Sequence, residues 1–79
     1  MWFVYLIRCS DDSIYTGITN DLQKRINNHN LGYKISKCRY TSGRLPVVLI
    51  KYFEYDTKSE ALKREYQIKK LDKKDKLEL

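Results

Sequence analysis

The sequence opens with a nearly continuous apolar run, WFVYLIRC at residues 2–9, which limits the possible folds more than any other stretch. A run of this kind is typical of a central strand that is covered on both faces. Turn-forming residues follow at 10–13, and residues 14–18 show the alternation expected of a second strand. We therefore predict an antiparallel hairpin, with Tyr5 and Tyr15 on one face if the loop has an odd number of residues.

A helix is predicted directly after the second strand, within the stretch YTGITNDLQKRINNHN at residues 15–30. Asn20 is the expected N-cap, because its side chain can accept a hydrogen bond from the first turn, and Gln23 would complete a capping box. Gly32 is the expected left-handed stop at the other end.

At about 100° per residue, this helix has one predicted inner face, made by Leu22, Ile26, His29 and Tyr33. Arg25 lies at the edge of that face, and an inward guanidinium must find an anion or hydrogen-bond acceptors. The alternative is that Arg25 pairs with Asp21 at the surface and that His29 is an ordinary core histidine. The helix by itself favours this alternative.

Length and charge limit the class of protein. Seventy-nine residues predict one domain, residues 1–79, with one small core. The net charge of +6 makes nucleic acid a candidate partner. We find no membrane span and no signal-peptide pattern, so we expect a cytoplasmic protein. Cys9 and Cys38 are expected to be free thiols, and with one histidine they do not form a structural zinc set.

Residues 31–46 have no clear period and combine basic side chains with tyrosines. This combination suits a surface that binds phosphates and stacks on bases. The predicted nucleic-acid-binding residues are Lys37, Arg39, Tyr40 and Arg44. An ordinary solvated connection is an equally weighted alternative.

Pro46 introduces a third strand at residues 47–55, and the apolar start of this strand predicts burial on both faces. The last long helix is predicted from Lys58 to about Leu71. Thr57 caps it, and Glu60 completes the capping box.

One carboxylate stands out on this helix, because Glu65 falls among the predicted inner residues Ala61, Leu62 and Ile68. A carboxylate in an apolar stripe needs a cation, hydrogen-bond donors or a metal. An i,i+4 salt bridge to Lys69 is weighted about equally. The charged residues 69–79 are predicted to form a solvated helix end or a frayed terminus.

The order of these segments resembles the GIY-YIG nuclease superfamily, above all its small stand-alone bacterial group, which is similar to the nuclease domain of structure-specific DNA endonucleases. The motifs VYLI, YTGIT, DLQKRINNHN, YTSGRLP and ALKREYQIKKL carry the resemblance over nearly the whole chain. Phe3, Val4 and Thr16 depart from the two signature motifs without removing a functional group. The predicted fold is α/β (α+β), a three-stranded antiparallel sheet flanked by helices in a single GIY-YIG-like domain.

The resemblance also implies which residues do the chemistry: Tyr5, Tyr15, Arg25 and His29 as catalytic residues, Gly17 as the motif glycine, and Glu65 as the metal ligand. The implied activity is Mg²⁺-dependent hydrolysis of DNA, with Mn²⁺ as a substitute, structure-specific and linked to repair or recombination. Tyr5 is the expected general base, and Arg25 is expected to bind phosphoryl oxygens. Tyr15 and His29 would orient groups or relay protons.

Two other functions are compatible with the residues. A non-catalytic module could bind single-stranded nucleic acid on a tyrosine surface made by Tyr5, Tyr15, Tyr40, Tyr52 and Tyr55. A protein-interaction module with the same tyrosines in its core and interface is the third function. DNA is expected over RNA as the partner, and a homodimer or a larger repair partner is left open.

Overall fold

The computed structural model describes residues 1–79 as a three-stranded antiparallel sheet with five helices. The strands, in the spatial order β2-β1-β3, are β1 (Trp2–Arg8), β2 (Ile14–Thr19) and β3 (Val48–Tyr55). The helices are α1 (Leu22–Asn30), α2 (Tyr33–Ser36), α3 (Arg39–Ser42), α4 (Lys58–Lys69) and α5 (Lys73–Leu77). The fold class expected from the sequence is confirmed.

The central position of β1 explains its continuous apolar sequence. Successive side chains of a strand point to opposite faces, and those at positions 4–7 of β1 are all buried. Val4 and Leu6 pack in one apolar cluster with Ala61 and Ile68 of α4. The other cluster is built on Tyr5 and Ile7 and includes Leu22 and Ile26 of α1. The two long helices therefore cover opposite faces of the sheet.

The β1–β2 hairpin places Tyr5 and Tyr15 on the sheet face that α1 covers. Its loop is residues 9–13, an odd number, and the register pairs Tyr5 with Gly17 and Ile7 with Tyr15. Paired residues of neighbouring strands point to the same face. An odd loop length is the condition under which the sequence predicts a shared face, and Tyr5 and Tyr15 do share one.

The caps of α1 differ from the predicted ones. The N-cap is Asp21 rather than Asn20, and its carboxylate accepts a hydrogen bond from the Lys24 amide at 3.2 Å. Gly32 does have a positive φ of 93°, but its ψ is extended at −179° and it begins α2. The prediction of Gly32 as a left-handed helix stop was therefore wrong in its conformation, because Leu31 already ends α1 in right-handed geometry.

Two residues placed on inner helix faces are at the surface. Tyr33 belongs to α2 rather than to α1 and is 38% exposed, since α1 ends before it. Leu62 is 44% exposed, whereas its neighbour Ala61 is fully buried. The inner stripe of α4 is therefore narrower than the helical pattern predicts. The Thr57 cap is confirmed, because its hydroxyl accepts from the Glu60 amide at 3.2 Å.

β3 is less buried than its sequence predicts. Val48 is 56% exposed and Tyr52 is 51% exposed, because α4 packs mainly against β1 and β2 and leaves the edge strand β3 less covered. Residues 31–46 form the single-turn helices α2 and α3 rather than an irregular connection. The two cysteines are free, as predicted, and both are buried. None of the helices has the length and apolar character that crossing a bilayer requires.

Candidate active site

A buried hydrogen-bonded group of three side chains lies between β1 and α1. The hydroxyl of Tyr5 lies 2.8 Å from Nε2 of His29, and Nε of Arg25 donates to the same hydroxyl at 3.4 Å. Tyr5 is 1% exposed and His29 is fully buried. The sheet thus supplies the tyrosine, and one face of α1 supplies both of its partners.

The geometry of α1 explains how Arg25 and His29 reach the same atom. They are four residues apart, about one helical turn, so both point toward β1. Arg25 also donates from Nη1 to the Ser36 carbonyl at 2.9 Å, which fixes its guanidinium between β1 and α2. The alternative of a surface pair with Asp21 was wrong, because the Asp21 carboxylate caps the helix.

His29 is held neutral by its surroundings. Burial, and next the positive charge of Arg25, lower its pKa from 6.5 to about 4. Its second ring nitrogen, Nδ1, lies 2.9 Å from the hydroxyl of Thr41 in α3. An uncharged imidazole with both nitrogens engaged can accept one proton and donate one.

Tyr5 and Tyr15 both contact the His29 ring, Tyr5 through its hydroxyl and Tyr15 through its ring. The Tyr15 ring lies edge-on to His29 with centroids 5.7 Å apart, and it stacks on Tyr40 at 5.5 Å. Burial raises the pKa of Tyr5, although the hydrogen bond from Arg25 lowers it. Burial and then Cys38 raise the pKa of Tyr15 as well. Both phenols are therefore protonated at neutral pH.

Glu65 lies on α4 at the side of the sheet where β2 forms the edge. Its side chain is 17% exposed, and its carboxylate is 3.6 Å from Lys69, which confirms the predicted i,i+4 pair. The Lys69 ammonium is in turn 5.9 Å from the centre of the Tyr15 ring. The charge of Glu65 is one of the smaller causes that raise the pKa of Tyr5.

The donor set around Glu65 fits a magnesium ion better than a transition metal. No three His, Cys, Asp or Glu side chains cluster anywhere in the chain, so at most two such side chains could hold an ion at Glu65. Mg²⁺ takes one or two carboxylates and fills its remaining positions with water and phosphate oxygens. A site completed by a phosphate-containing substrate is compatible with this arrangement.

The predicted nucleic-acid-binding residues divide into two groups. Lys37 and Arg39 are exposed and lie 6.0 and 4.9 Å from the centre of the Tyr33 ring. Arg44 instead bonds to Asp11 at 2.9 Å and lies 4.1 Å from the centre of the Tyr40 ring. Tyr40 thus contacts both Tyr15 and Arg44, and its ring is partly covered by the protein.

The five tyrosines of the stacking hypothesis do not form one surface. Tyr5 is buried beneath His29, while Tyr55 packs with the apolar cluster beneath α4. Tyr52 is exposed on β3, the edge strand farthest from β2. The structure stacks Tyr15 on Tyr40 and pairs Tyr5 with Tyr52 across β1 and β3, whereas Tyr55 lies with the cluster beneath α4.

Three polar residues near the site were not singled out from the sequence. Thr41 contacts His29, and the carbonyl of Ser36 contacts Arg25. Asn30 bonds to both backbone groups of Val47, at 2.8 and 3.1 Å, and so closes the segment 31–46 at its base. Asn30 and Thr41 belong to motifs that carry the family resemblance, but their spacing gives no indication of these contacts.

The chain is similar to known proteins along nearly its whole length. The model of the GIY-YIG catalytic domain matches residues 1–78. A UPF0213 protein of Clostridium perfringens is 51% identical over 100% of this chain and 82% of the relative. A UPF0213 protein of Staphylococcus saprophyticus is 47% identical over 98% of this chain and 90% of the relative. The solution NMR structure of a UPF0213 protein from Bacillus halodurans has a TM-score of 0.59 and 35% identity, covering 99% of this chain and 81% of that one.

Proposed function

The chain belongs to the family of GIY-YIG catalytic domains, and on that premise we propose that it is a Mg²⁺-dependent endonuclease that hydrolyses DNA phosphodiester bonds. The observation that carries the proposal is the buried Tyr5 hydroxyl, which contacts both Arg25 and His29. A cation that donates to the phenol oxygen and a neutral imidazole beside its hydrogen are the groups that would help Tyr5 to pass on its proton.

Tyr5 is the proposed general base. It has a raised pKa, so a free phenolate is costly, and it acts by passing its own proton to His29 as it takes one from the attacking water. The water oxygen forms the new bond to phosphorus while the bond to the leaving oxygen breaks. The leaving oxygen takes a proton from solvent, and His29 afterwards releases to solvent the proton that it received, so the protons balance over one cycle.

Arg25 supplies positive charge where negative charge develops. Its Nε bonds to the Tyr5 oxygen, which helps that oxygen to lose its proton. The bond from Nη1 to the Ser36 carbonyl holds the guanidinium in one orientation, and Nη2 has no recorded partner in the protein. We assign that remaining nitrogen to a nonbridging phosphoryl oxygen.

Glu65 is the proposed magnesium ligand. When bound, the ion would neutralise charge on the phosphoryl group and stabilise the leaving oxygen. The half-buried Glu65 carboxylate is held by Lys69, whose ammonium would compete with the metal. Tyr15, between His29 and the Lys69 ammonium, is proposed to orient the attacking water rather than to act as the base.

The substrate-binding surface is proposed to include the α2–α3 residues. Lys37 and Arg39 extend from this surface and can contact phosphates, while Tyr33 offers an exposed ring for stacking. Tyr40 and Arg44 are retained as proposed binding residues, although both also have protein partners. We also propose that the substrate is DNA rather than RNA, that the protein acts on specific DNA structures in repair or recombination, and that it is cytoplasmic.

A cleavage assay tests the proposal. Labelled single-stranded, duplex, flap and branched DNAs are incubated with Mg²⁺, Mn²⁺ or chelator, using the wild type and Glu65→Ala. Glu54→Ala is the matched control, because this exposed carboxylate lies on β3, the opposite edge of the sheet. We expect metal-dependent cutting by the wild type and the control and none by Glu65→Ala. Equal cutting by all three would remove Glu65 from the mechanism.

The same assay separates the other functions. Salt-sensitive binding of nucleic acid that chelator leaves unchanged, without cutting of any substrate, would favour the non-catalytic module. No salt-sensitive binding at all would favour a protein-interaction module. Exchanging the DNA panel for RNA of the same sequences distinguishes the two nucleic acids.

A further inference from the structure

Thr41 occupies a position that the proposed mechanism does not use. Its hydroxyl lies 2.9 Å from Nδ1 of His29, on the side of the ring opposite the Tyr5 contact. Thr41 and His29 are both fully buried, so water does not compete for this hydrogen bond. The residue comes from α3, a single-turn helix that the sequence did not predict.

The neighbours of Tyr5 indicate which ring nitrogen of His29 carries the hydrogen. The Tyr5 oxygen accepts a hydrogen bond from Arg25, which has only donors. If Nε2 also donated to this oxygen, the hydroxyl hydrogen of Tyr5 would have no recorded acceptor. A buried donor that is left without an acceptor is unfavourable. The hydroxyl therefore donates to Nε2, and the neutral ring carries its hydrogen on Nδ1.

The Thr41 hydroxyl can accept from Nδ1, because its oxygen carries two lone pairs. Its own hydrogen is left for the neighbouring Cys38 thiol: burial raises the pKa of this thiol, whereas the Thr41 side chain is the first of several groups that lower it. The hydrogen bonds then run in one direction from Arg25 through Tyr5 and His29 to Thr41.

We propose that Thr41 is a positioning residue that fixes the Nδ1–H tautomer of His29, so that Nε2 is free to receive the proton of Tyr5. The role in catalysis rests on the proposed nuclease function, whereas the tautomer does not. When the proton moves, the O–H bond of Tyr5 breaks and an N–H bond forms at Nε2. The resulting imidazolium keeps its Nδ1–H bond to Thr41, while Tyr5 regains a proton from the attacking water.

Nitrogen NMR of the histidine side chain tests the tautomer without any substrate. The chain contains one histidine, so selective ¹⁵N labelling gives a single pair of ring signals. The samples are the full-length wild type, Thr41→Val and Thr41→Ser. Thr16→Val is the matched control, because it removes a buried hydroxyl that has no hydrogen-bond partner and belongs to β2.

At neutral pH we expect the hydrogen on Nδ1 in the wild type, in Thr41→Ser and in Thr16→Val. Thr41→Val should move it to Nε2 in part or completely, because valine offers no acceptor. A wild-type ring protonated on Nε2 would overturn the proposal, and so would an unchanged tautomer in Thr41→Val. If Thr41→Val does not fold, the wild-type tautomer still decides the assignment.

Cleavage kinetics then test the catalytic consequence. Thr41→Val should lower kcat roughly 100-fold with little change in DNA affinity, and Thr41→Ser should recover most of the rate. A Thr41→Val protein that changes tautomer but cuts at the wild-type rate would overturn the positioning role. If the wild type cuts no DNA, the nuclease function fails, and the NMR result still decides the tautomer separately.

Discussion

Tyr5 lies across Gly17, its partner in the β1–β2 register, so closely that a Cβ atom at position 17 would be 2.6 Å from Cζ of the tyrosine ring. Because Gly17 has no side chain, the Tyr5 phenol has room to reach His29. The glycine is required by packing rather than by its backbone conformation.

Gly17→Ala should displace the Tyr5 ring and lose both stability and cleavage. Forcing a methyl group into this contact should cost about 1–3 kcal/mol in the free energy of unfolding. Urea denaturation and the cleavage assay measure the two effects. Gly43→Ala is the control, because nothing lies within 4 Å of a Cβ there, and it should change stability by less than about 0.5 kcal/mol. A fully active Gly17→Ala protein would contradict the tight contact.

Arg25→Lys should reduce cleavage roughly 100-fold while DNA binding falls much less. Lysine keeps the charge, but its single ammonium cannot bond to Tyr5, Ser36 and a phosphate oxygen together. Single-turnover rates at saturating enzyme separate the two effects. Arg64→Lys, whose guanidinium contacts only the Gln67 side chain, should behave as the wild type. Normal rates in Arg25→Lys would show that charge alone suffices.

Asn30→Ala should lower the free energy of unfolding by about 2 kcal/mol, because it leaves the buried backbone groups of Val47 unpaired. Chemical denaturation measures the loss. Asn27→Ala is the control, since its exposed side chain bonds only to Gln23 and its removal should change stability by less than about 0.5 kcal/mol. Equal losses in the two variants would mean that the Val47 contacts add nothing.

Acid should destabilise the fold through His29. The pKa of this residue is about 4 in the native protein against its ordinary 6.5, so between these values the unfolded chain binds more protons. Stability is therefore complete above pH 6.5 and falls as the pH drops toward 4, by about 1.4 kcal/mol for each pH unit at most. Urea unfolding across this range should show the slope. His29→Gln should flatten it, and an unchanged slope in that variant would assign the effect to other groups.

The parts of the fold that the sequence predicts are those in which one residue pattern has one structural solution. The two-faced apolar run could only be a central strand, and it is β1. Thr57 and Glu60 mark the start of α4 by local chemistry alone. β3 has an equally apolar start, but strand order decides its burial, and strand order is a tertiary property. The exposure of Val48 was for this reason missed.

Some residues of the candidate site could likewise be predicted from the sequence, and others could not. The spacing of Arg25 and His29 predicts that both share one helix face, and the structure confirms their inward orientation. Thr41 and Ser36 could not be found, because short helices such as α2 and α3 show no periodicity and their contacts are set by packing. Cys38 lies between these helices and was predicted to be free, while the hydrogen bond from its amide to the Ser36 hydroxyl depends on the fold.

The two hydrogen bonds between Asn30 and Val47, here called the clamp, affect the order of folding. The β1–β2 hairpin is local in sequence, whereas β1–β3 pairing joins residues as far apart as Trp2 and Tyr55. Local contacts form early because they close short loops, and distant ones form late. Since Thr41 and Ser36 lie between the hairpin and β3, their contacts with His29 and Arg25 should form only once the clamp closes. Pulsed amide exchange during refolding should then show protection of the Ile7 amide before the Val47 amide. The candidate active site would be completed only in the last step of folding.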